Sequence, residues 1–173
     1  MPVLISFSGL PGVGKTTIAK DLAQRIGAVY IRVDEIEAAL KRSALQIAFP
    51  KDAGYLAACA ITRSNLEIGR SVVADTVNPV VASRRLWAET AEKGGGKLFD
   101  VEVICSDRKE HRRRVETRDG DIEGLDLPNW EQVEARAYDI WEGVDLRIDT
   151  AIVSPFEAVE AIQEALGDQI NQD

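Results

Sequence analysis

Apolar and polar positions alternate between two periods along this chain of 173 residues. Short apolar runs of strand length stand at Val3–Ser8, Ala28–Val33, Ser71–Asp75, Val101–Cys105 and Leu146–Ile148. Helical spacing separates them. Thr17–Ile26 carries apolar residues at 18, 19, 22, 23 and 26, one face of a helix, and Gly27 supplies a C-terminal stop. The same reading predicts helices from Asp34 or Glu35 to about Ser43, from about Asp52 to Ile68, and from about Val80 to Lys93. It adds Lys109–Arg118 and Trp130–Trp141, with Pro155 opening a last helix. Pro50 and Gly54 bracket a break, and Asp119–Asn129 reads as a polar loop. Strands alternating with helices predict the α/β class: a five-stranded, mainly parallel sheet with helices on both faces. No repeat, low-complexity tract or linker interrupts the pattern, so residues 1–173 read as one domain. Ligands in such folds bind beyond the carboxyl ends of the strands, which directs attention to the residues following each strand.

Composition narrows the picture only where it carries a sign. Apolar residues make up 45% and charged residues 29%, ordinary for a soluble protein. The net charge of −8 and pI near 4.8 disfavour a broad nucleic-acid-binding surface. No apolar stretch approaches a membrane span, and no basic region followed by a long apolar core marks a signal peptide. Cys59 and Cys105 match no metal spacing and sit in apolar surroundings, so buried free thiols and a cytoplasmic location are expected.

The chemistry begins at Gly9-Leu10-Pro11-Gly12-Val13-Gly14-Lys15-Thr16, a full G-x-x-x-x-G-K-[ST] phosphate-binding loop between the first strand and the first helix. Gly9, Gly12 and Gly14 permit the tight turn. Inward N–H groups cradle phosphate oxygens, and the following helix adds the positive end of its dipole. Lys15 reaches the β- and γ-phosphates and the Thr16 hydroxyl binds Mg²⁺. The expected nucleotide-binding set is Gly9, Pro11, Gly12, Val13, Gly14, Lys15, Thr16 and Thr17, with ATP and Mg²⁺ as cofactors.

Four further strands end in acidic or hydroxyl residues. Asp34 follows the second strand and reads either as a helix N-cap or as a base that orients an acceptor hydroxyl and takes its proton. Asp75 closes Ser71-Val72-Val73-Ala74-Asp75, which looks like a Walker B strand. It serves Mg²⁺ through water, contacts the acceptor, or is a plain turn residue before Asn78-Pro79. Strands four and five end at Ser106-Asp107 and Asp149-Thr150. In the basic run from Arg108 to Arg118, Arg108, Lys109 and Arg113 read as a solvated face and His111 as an exposed helical residue. Arg114 and Arg118, spaced i, i+4, share a face and precede the loop at 119–129. Helix, loop and return helix, about 108–130, make a lid whose arginines stabilise phosphate charge. Trp87, Trp130 and Trp141 read as core packing. Tyr55 reads as core or as a wall of an acceptor pocket.

On these residues the chain resembles the small P-loop kinases of the AAA_33, zeta-toxin, chloramphenicol phosphotransferase and gluconate kinase-like group, whose relatives include shikimate kinase and the kinase domain of polynucleotide kinase. The anchors are Gly9–Thr16, Val33-Asp34, Gly69–Asp75, Arg114 with Arg118, and Ile148-Asp149-Thr150. The resemblance implies a P-loop NTPase fold, with Asp34 as the acceptor-activating carboxylate and Arg114 and Arg118 on ATP. It also implies that the loop after Asp149 wraps the adenine. Several members with nucleotide or nucleic-acid substrates carry an arginine three residues after that aspartate. Here the position is Glu37, which favours a neutral or amine-bearing acceptor. Arg42–Tyr55, where acceptor specificity is expected, matches no subgroup.

The leading expectation is therefore an ATP- and Mg²⁺-dependent phosphotransferase acting on a hydroxyl of a small molecule, with Lys15, Asp34 and Arg114 as its catalytic residues. A polynucleotide 5′-end kinase is the first alternative, favoured by the basic run and opposed by Glu37 and the net charge. A regulatory or ATPase module is the second; no Asn-Lys-x-Asp guanine-reading motif occurs. No membrane partner is expected, and a monomer and a homodimer both remain open.

Overall fold

The computed structural model describes residues 1–44 and 47–171. Its elements run β1 (Val3–Ser8), α1 (Lys15–Ile26), β2 (Val29–Arg32), α2 (Val33–Arg42), α3 (Ala53–Glu67), β3 (Val72–Asp75), α4 (Val81–Lys93), β4 (Lys97–Ile104), α5 (Arg108–Thr117), α6 (Trp130–Glu134), β5 (Leu146–Asp149) and α7 (Pro155–Asn171). The five strands form one sheet in the order β2-β3-β1-β4-β5, and every pairing is parallel.

The period-two pattern of β1 shows why the sheet is covered twice. Ile5 and Phe7 face one side with Ile18 and Leu22 of α1 and Val159 and Ile162 of α7. Leu4 faces the other with Ala58 and Leu66 of α3 and Trp87 of α4. The remaining β1 residues on that second side, Ser6 and Ser8, are fully buried but bonded. Ser6 accepts from Asn78 Nδ2 at 3.3 Å and Ser8 pairs with the Tyr138 hydroxyl at 3.0 Å. Because β1 is the central strand, the loop that follows it emerges at the middle of the sheet's carboxyl edge, between the ends of β3 and β4.

Three sequence expectations need correction. The helix expected over Trp130–Trp141 stops at Glu134. An Asn129–Gln132 capping box starts it, but tertiary partners claim the chain beyond. Asp139 N donates to Pro79 O at 2.8 Å, and the Asp139 carboxylate accepts from Val81 N at 3.0 Å, serving the start of α4. Tyr138 reaches Glu102 at 3.0 Å. Helix propensity is a weak prior that such bonds override. Secondly, β4 begins at Lys97, not Val101. Its register on β1 runs from Val3 opposite Lys97 to Ser8 opposite Glu102, so polar Lys97 and Asp100 are strand residues. Thirdly, α2 begins at Val33 with Arg32 in the cap position and no side-chain cap bond, which removes the N-cap reading of Asp34. Within the expected specificity stretch Arg42–Tyr55, Leu45 and Gln46 lie outside the described residues.

No helix among the described residues is long and apolar enough to cross a membrane. Cys59 is buried, whereas Cys105 is only half-buried.

Candidate active site

The loop after β1 adopts the conformation its glycines permit. Gly12 and Gly14 have φ of 87° and 99°. A Cβ on Gly12 would stand 2.5 Å from Val115 Cγ2, and one on Gly9 2.2 Å from the Val103 carbonyl oxygen, so the loop is seated on α5 and β4. Lys15 is buried and curls over its own loop, donating from Nζ to Gly9 O at 2.7 Å and Leu10 O at 3.1 Å. Burial pulls its pKa down, while the charges of Asp75 and Asp34 oppose that. A buried ammonium bonded to two carbonyls, in a loop with no room for a side chain at Gly9 or Gly12, fits a phosphate chain. Pro11, Gly12, Gly14, Lys15, Thr16 and Thr17 line a cavity of about 420 Å³. Gly9 and Val13 lie beneath it: Gly9 N donates to Val77 O at 3.1 Å and Val13 belongs to the core.

Asp75 at the end of β3 is 3% exposed and lines this same cavity, as Thr16 does. Its Oδ2 accepts from the Tyr30 hydroxyl at 2.8 Å, and Arg32 Nε lies 3.8 Å from that oxygen. Burial, then the Asp75 carboxylate, pushes the Tyr30 pKa up. Thr16 and Asp75 suit Mg²⁺, which takes one or two protein oxygens and completes its shell with phosphates and water. Among the described residues no group of three or more His, Cys, Asp or Glu forms a metal cage.

A second, larger cavity of about 730 Å³ adjoins the first. Tyr55, Leu56 and Leu86 form apolar parts of its wall, and Glu37 a polar part. Tyr55 is fixed by its hydroxyl, which accepts from Thr76 Oγ1 at 2.6 Å and Asn78 N at 3.0 Å. Glu37 packs on Gly54, where a Cβ would stand 2.4 Å from its Cγ. Burial, then the neighbouring Asp34 charge, raises the Glu37 pKa. The two cavities share a wall that includes Pro11, Arg32, Asp34, Thr76 and Arg118. Asp75 lines only the phosphate-side cavity.

The expected lid arginines separate. Arg118, at the end of α5, stands in the shared wall and gives Nη2 to Pro128 O at 3.2 Å; burial lowers its pKa against the pull of Asp34. Arg114 lines the phosphate-side cavity, but its guanidinium is committed to protein. It donates to Glu110 Oε1 at 2.7 Å, Thr150 Oγ1 at 2.8 Å and Thr150 O at 3.1 Å. Thr150 in turn donates to Val13 O at 2.8 Å, so Arg114 also braces the loop through Thr150.

His111 is a correction: it is buried, donates from Nε2 to Pro11 O at 2.9 Å, and meets Trp130 edge-on at 5.2 Å. Arg32 was not anticipated, because only the β2–β3 register reveals that it faces Asp75. Four arginines of the basic run are paired. Arg112 pairs with Glu116, Arg113 and Arg114 with Glu110, and Arg108 with Glu134. The two arginines hold the Glu110 carboxyl down at about 2.

A parallel sheet carrying a G-x-x-x-x-G-K-T loop from its central strand into α1 defines a P-loop NTPase fold. Residues 4–139 match the AAA_33 family, an AAA domain, and the chain belongs to that family. No curated protein matches the chain. Solved structures share its fold. The Mycobacterium tuberculosis APS kinase CysC in complex with AMPPNP and APS has a TM-score of 0.64 at 18% identity, over 96% of this chain and 98% of that one. A gluconokinase from Sinorhizobium meliloti 1021 has a TM-score of 0.66 at 19% identity, over 99% and 95%. Chaetomium thermophilum Kti12 in complex with ADP-AlF3 has a TM-score of 0.65 at 22% identity, over 94% and 98%.

Proposed function

We propose that the protein is a kinase that transfers the γ-phosphoryl group of ATP to a hydroxyl of a small molecule, with Asp34 as the base. The observation that carries this reading is the position of Asp34. Its side chain belongs to the wall between a cavity lined by the phosphate-binding loop and a larger one, and it is not spent on capping α2. A carboxylate there meets a hydroxyl entering from the larger cavity and a phosphoryl group from the smaller.

The transfer balances simply. The acceptor oxygen gives its proton to Asp34 and bonds to the γ-phosphorus. The bond from that phosphorus to the bridging oxygen breaks, and its electron pair leaves on ADP. Lys15, Thr16 and the loop N–H groups hold the donor phosphates. Thr16 and Asp75 would hold Mg²⁺, which neutralises phosphate charge when bound. Arg118 adds positive charge where the phosphoryl group crosses, and Arg114 positions the loop through Thr150. Residues 119–129 act as a lid, held by Asp121 to Arg32 at 2.5 Å.

The acceptor is a small molecule rather than a nucleic-acid end: the net charge is −8, and each of the four arginines of α5 pairs with a glutamate. An acceptor screen with ATP and Mg²⁺ tests the reading by ADP release, across sugars, sugar acids, aminoglycosides, chloramphenicol-like compounds and nucleosides. ADP release stimulated by one acceptor class supports it. Nucleotide hydrolysis that no acceptor accelerates contradicts it.

A further inference from the structure

Asp75 ends β3 almost out of reach of solvent, and a buried carboxylate needs donors. Tyr30 supplies one. It stands on β2, two residues before Arg32, whose register partner is Asp75 itself. Its hydroxyl donates to Asp75 Oδ2 at 2.8 Å. Arg32 Nε lies 3.8 Å from the same oxygen, adding charge but no hydrogen bond, and Arg32 Nη1 is held by Asp121 Oδ2 at 2.5 Å. Burial and the Asp75 charge push the Tyr30 pKa up, so the hydroxyl keeps its proton and donates it. Asp75 Oδ1 accepts no hydrogen bond among the described residues, and Asp75 lines the phosphate-side cavity with Thr16.

A phenylalanine ring at position 30 would pack against the same core. What the hydroxyl alone adds is a direction for the carboxylate. With Oδ2 tied, Asp75 cannot turn about its Cβ–Cγ bond without losing that hydrogen bond, so Oδ1 keeps one heading. Hydrogen bonds that fix a ligating group from behind typically change metal affinity by about 10–100-fold. The tie crosses from β2 to β3, so the parallel register that brings Arg32 level with Asp75 also sets it.

We propose that Tyr30 is a positioning residue: its hydroxyl holds Oδ2 of Asp75 so that Oδ1 serves the water shell of Mg²⁺ on the nucleotide phosphates. The inference rests on the kinase reading above, and it assigns Asp75 to Mg²⁺ rather than to the acceptor. Tyr30 lines neither cavity, so it acts through Asp75 and exchanges no proton in the transfer.

The test needs no acceptor. AMPPNP is titrated calorimetrically into wild-type, Tyr30→Phe and Asp75→Asn protein, in EDTA and at a series of Mg²⁺ concentrations, with thermal melting as the folding control. Each protein's affinity with Mg²⁺ is compared with its own affinity in EDTA, so a general loss of fit cancels. Tyr30→Phe is expected to bind AMPPNP in EDTA within about threefold of wild type and to need at least about tenfold more Mg²⁺ for half of the metal's effect. Asp75→Asn is expected to lose most of that effect. A wild-type Mg²⁺ requirement in Tyr30→Phe overturns the inference, whether affinity is unchanged or falls equally with and without the metal; the hydroxyl is then structural. A wild-type Mg²⁺ requirement in Asp75→Asn also overturns it and leaves the kinase reading standing. Wild-type protein that binds no AMPPNP in Mg²⁺ overturns the kinase reading itself.

Discussion

Asp34 and Lys15 stand one chemical step apart in the proposed reaction, and each makes a separable prediction. Lys15 is buried with its ammonium on two carbonyls of its own loop, so its charge is available to phosphates without crossing solvent. Lys15→Met is expected to weaken Mg·AMPPNP binding by about tenfold or more while preserving the fold, read by calorimetry and thermal melting. Gly12→Ala places a methyl 2.5 Å from Val115 Cγ2 at a φ of 87°. It is expected to lose nucleotide binding and to melt lower by roughly 1–3 kcal/mol of stability, from strain and overpacking together. These residues were legible in the sequence because a loop motif fixes them locally. His111 and Arg32 were not. His111 reads as one more polar residue in a charged helix until Trp130 and Pro11 fold onto it. Arg32 depends on a strand register that no local pattern encodes.

Among the elements, the segment following α6 does what its sequence hides. It sets Tyr138 against Ser8 of β1 and Glu102 of β4 and is pinned by Arg84 of α4. Arg84 donates to Asp139 O at 2.7 Å and Ile140 O at 3.3 Å, and its guanidinium lies 4.3 Å from the Trp141 ring centroid. Arg84→Met removes these bonds and the cation over the ring. It is expected to cost about 2–4 kcal/mol in denaturant unfolding, with Mg·AMPPNP affinity changed far less. Trp141 was expected in the core; it is half-buried and serves as the platform for that arginine. The packing of α2 on α3 makes the opposite prediction. Gly54→Ala drives a methyl into Glu37 Cγ at 2.4 Å, displacing a wall of the larger cavity. The acceptor KM is expected to change severalfold, read in acceptor titrations, while nucleotide affinity is unchanged. Helix α1 was legible from its periodicity and its stop at Gly27, and α7 from Pro155 at its start; the end of α6 was not, because hydrogen bonds to distant residues decide it.

At the scale of the molecule, the strand order places the loop at the centre of the sheet and Asp34 and Asp75 beside the carboxyl ends of the neighbouring strands β2 and β3, where the two cavities meet. The same sheet buries a liability. Asp100 on β4 has an unbonded buried Oδ1, and burial, then the charge of Asp145, pushes its carboxyl up to about 7. Unfolded, an aspartate titrates near 3.9. Between those values the folded state holds a proton that the unfolded state lacks, so stability falls as pH rises from about 4 to about 7. Asp100→Asn is expected to be more stable than wild type at pH 8 by ~2 kcal/mol and nearly equal to it at pH 4, by denaturant unfolding at both pH values. The fold class and the five strands were legible because parallel βα units write their alternation into the chain. The second cavity was not, since residues from α2, α3, α4 and the loop at 119–129 meet only in three dimensions. Asp34 stands in the wall that both cavities share. The most direct measurement is ADP release by wild-type and Asp34→Asn protein with ATP, Mg²⁺ and the best acceptor from the screen, beside calorimetric Mg·AMPPNP affinity for both. Transfer is expected to fall by ~10²–10⁴-fold with nucleotide affinity within about threefold. Transfer at the wild-type rate in Asp34→Asn protein would contradict the assignment of Asp34 as the base.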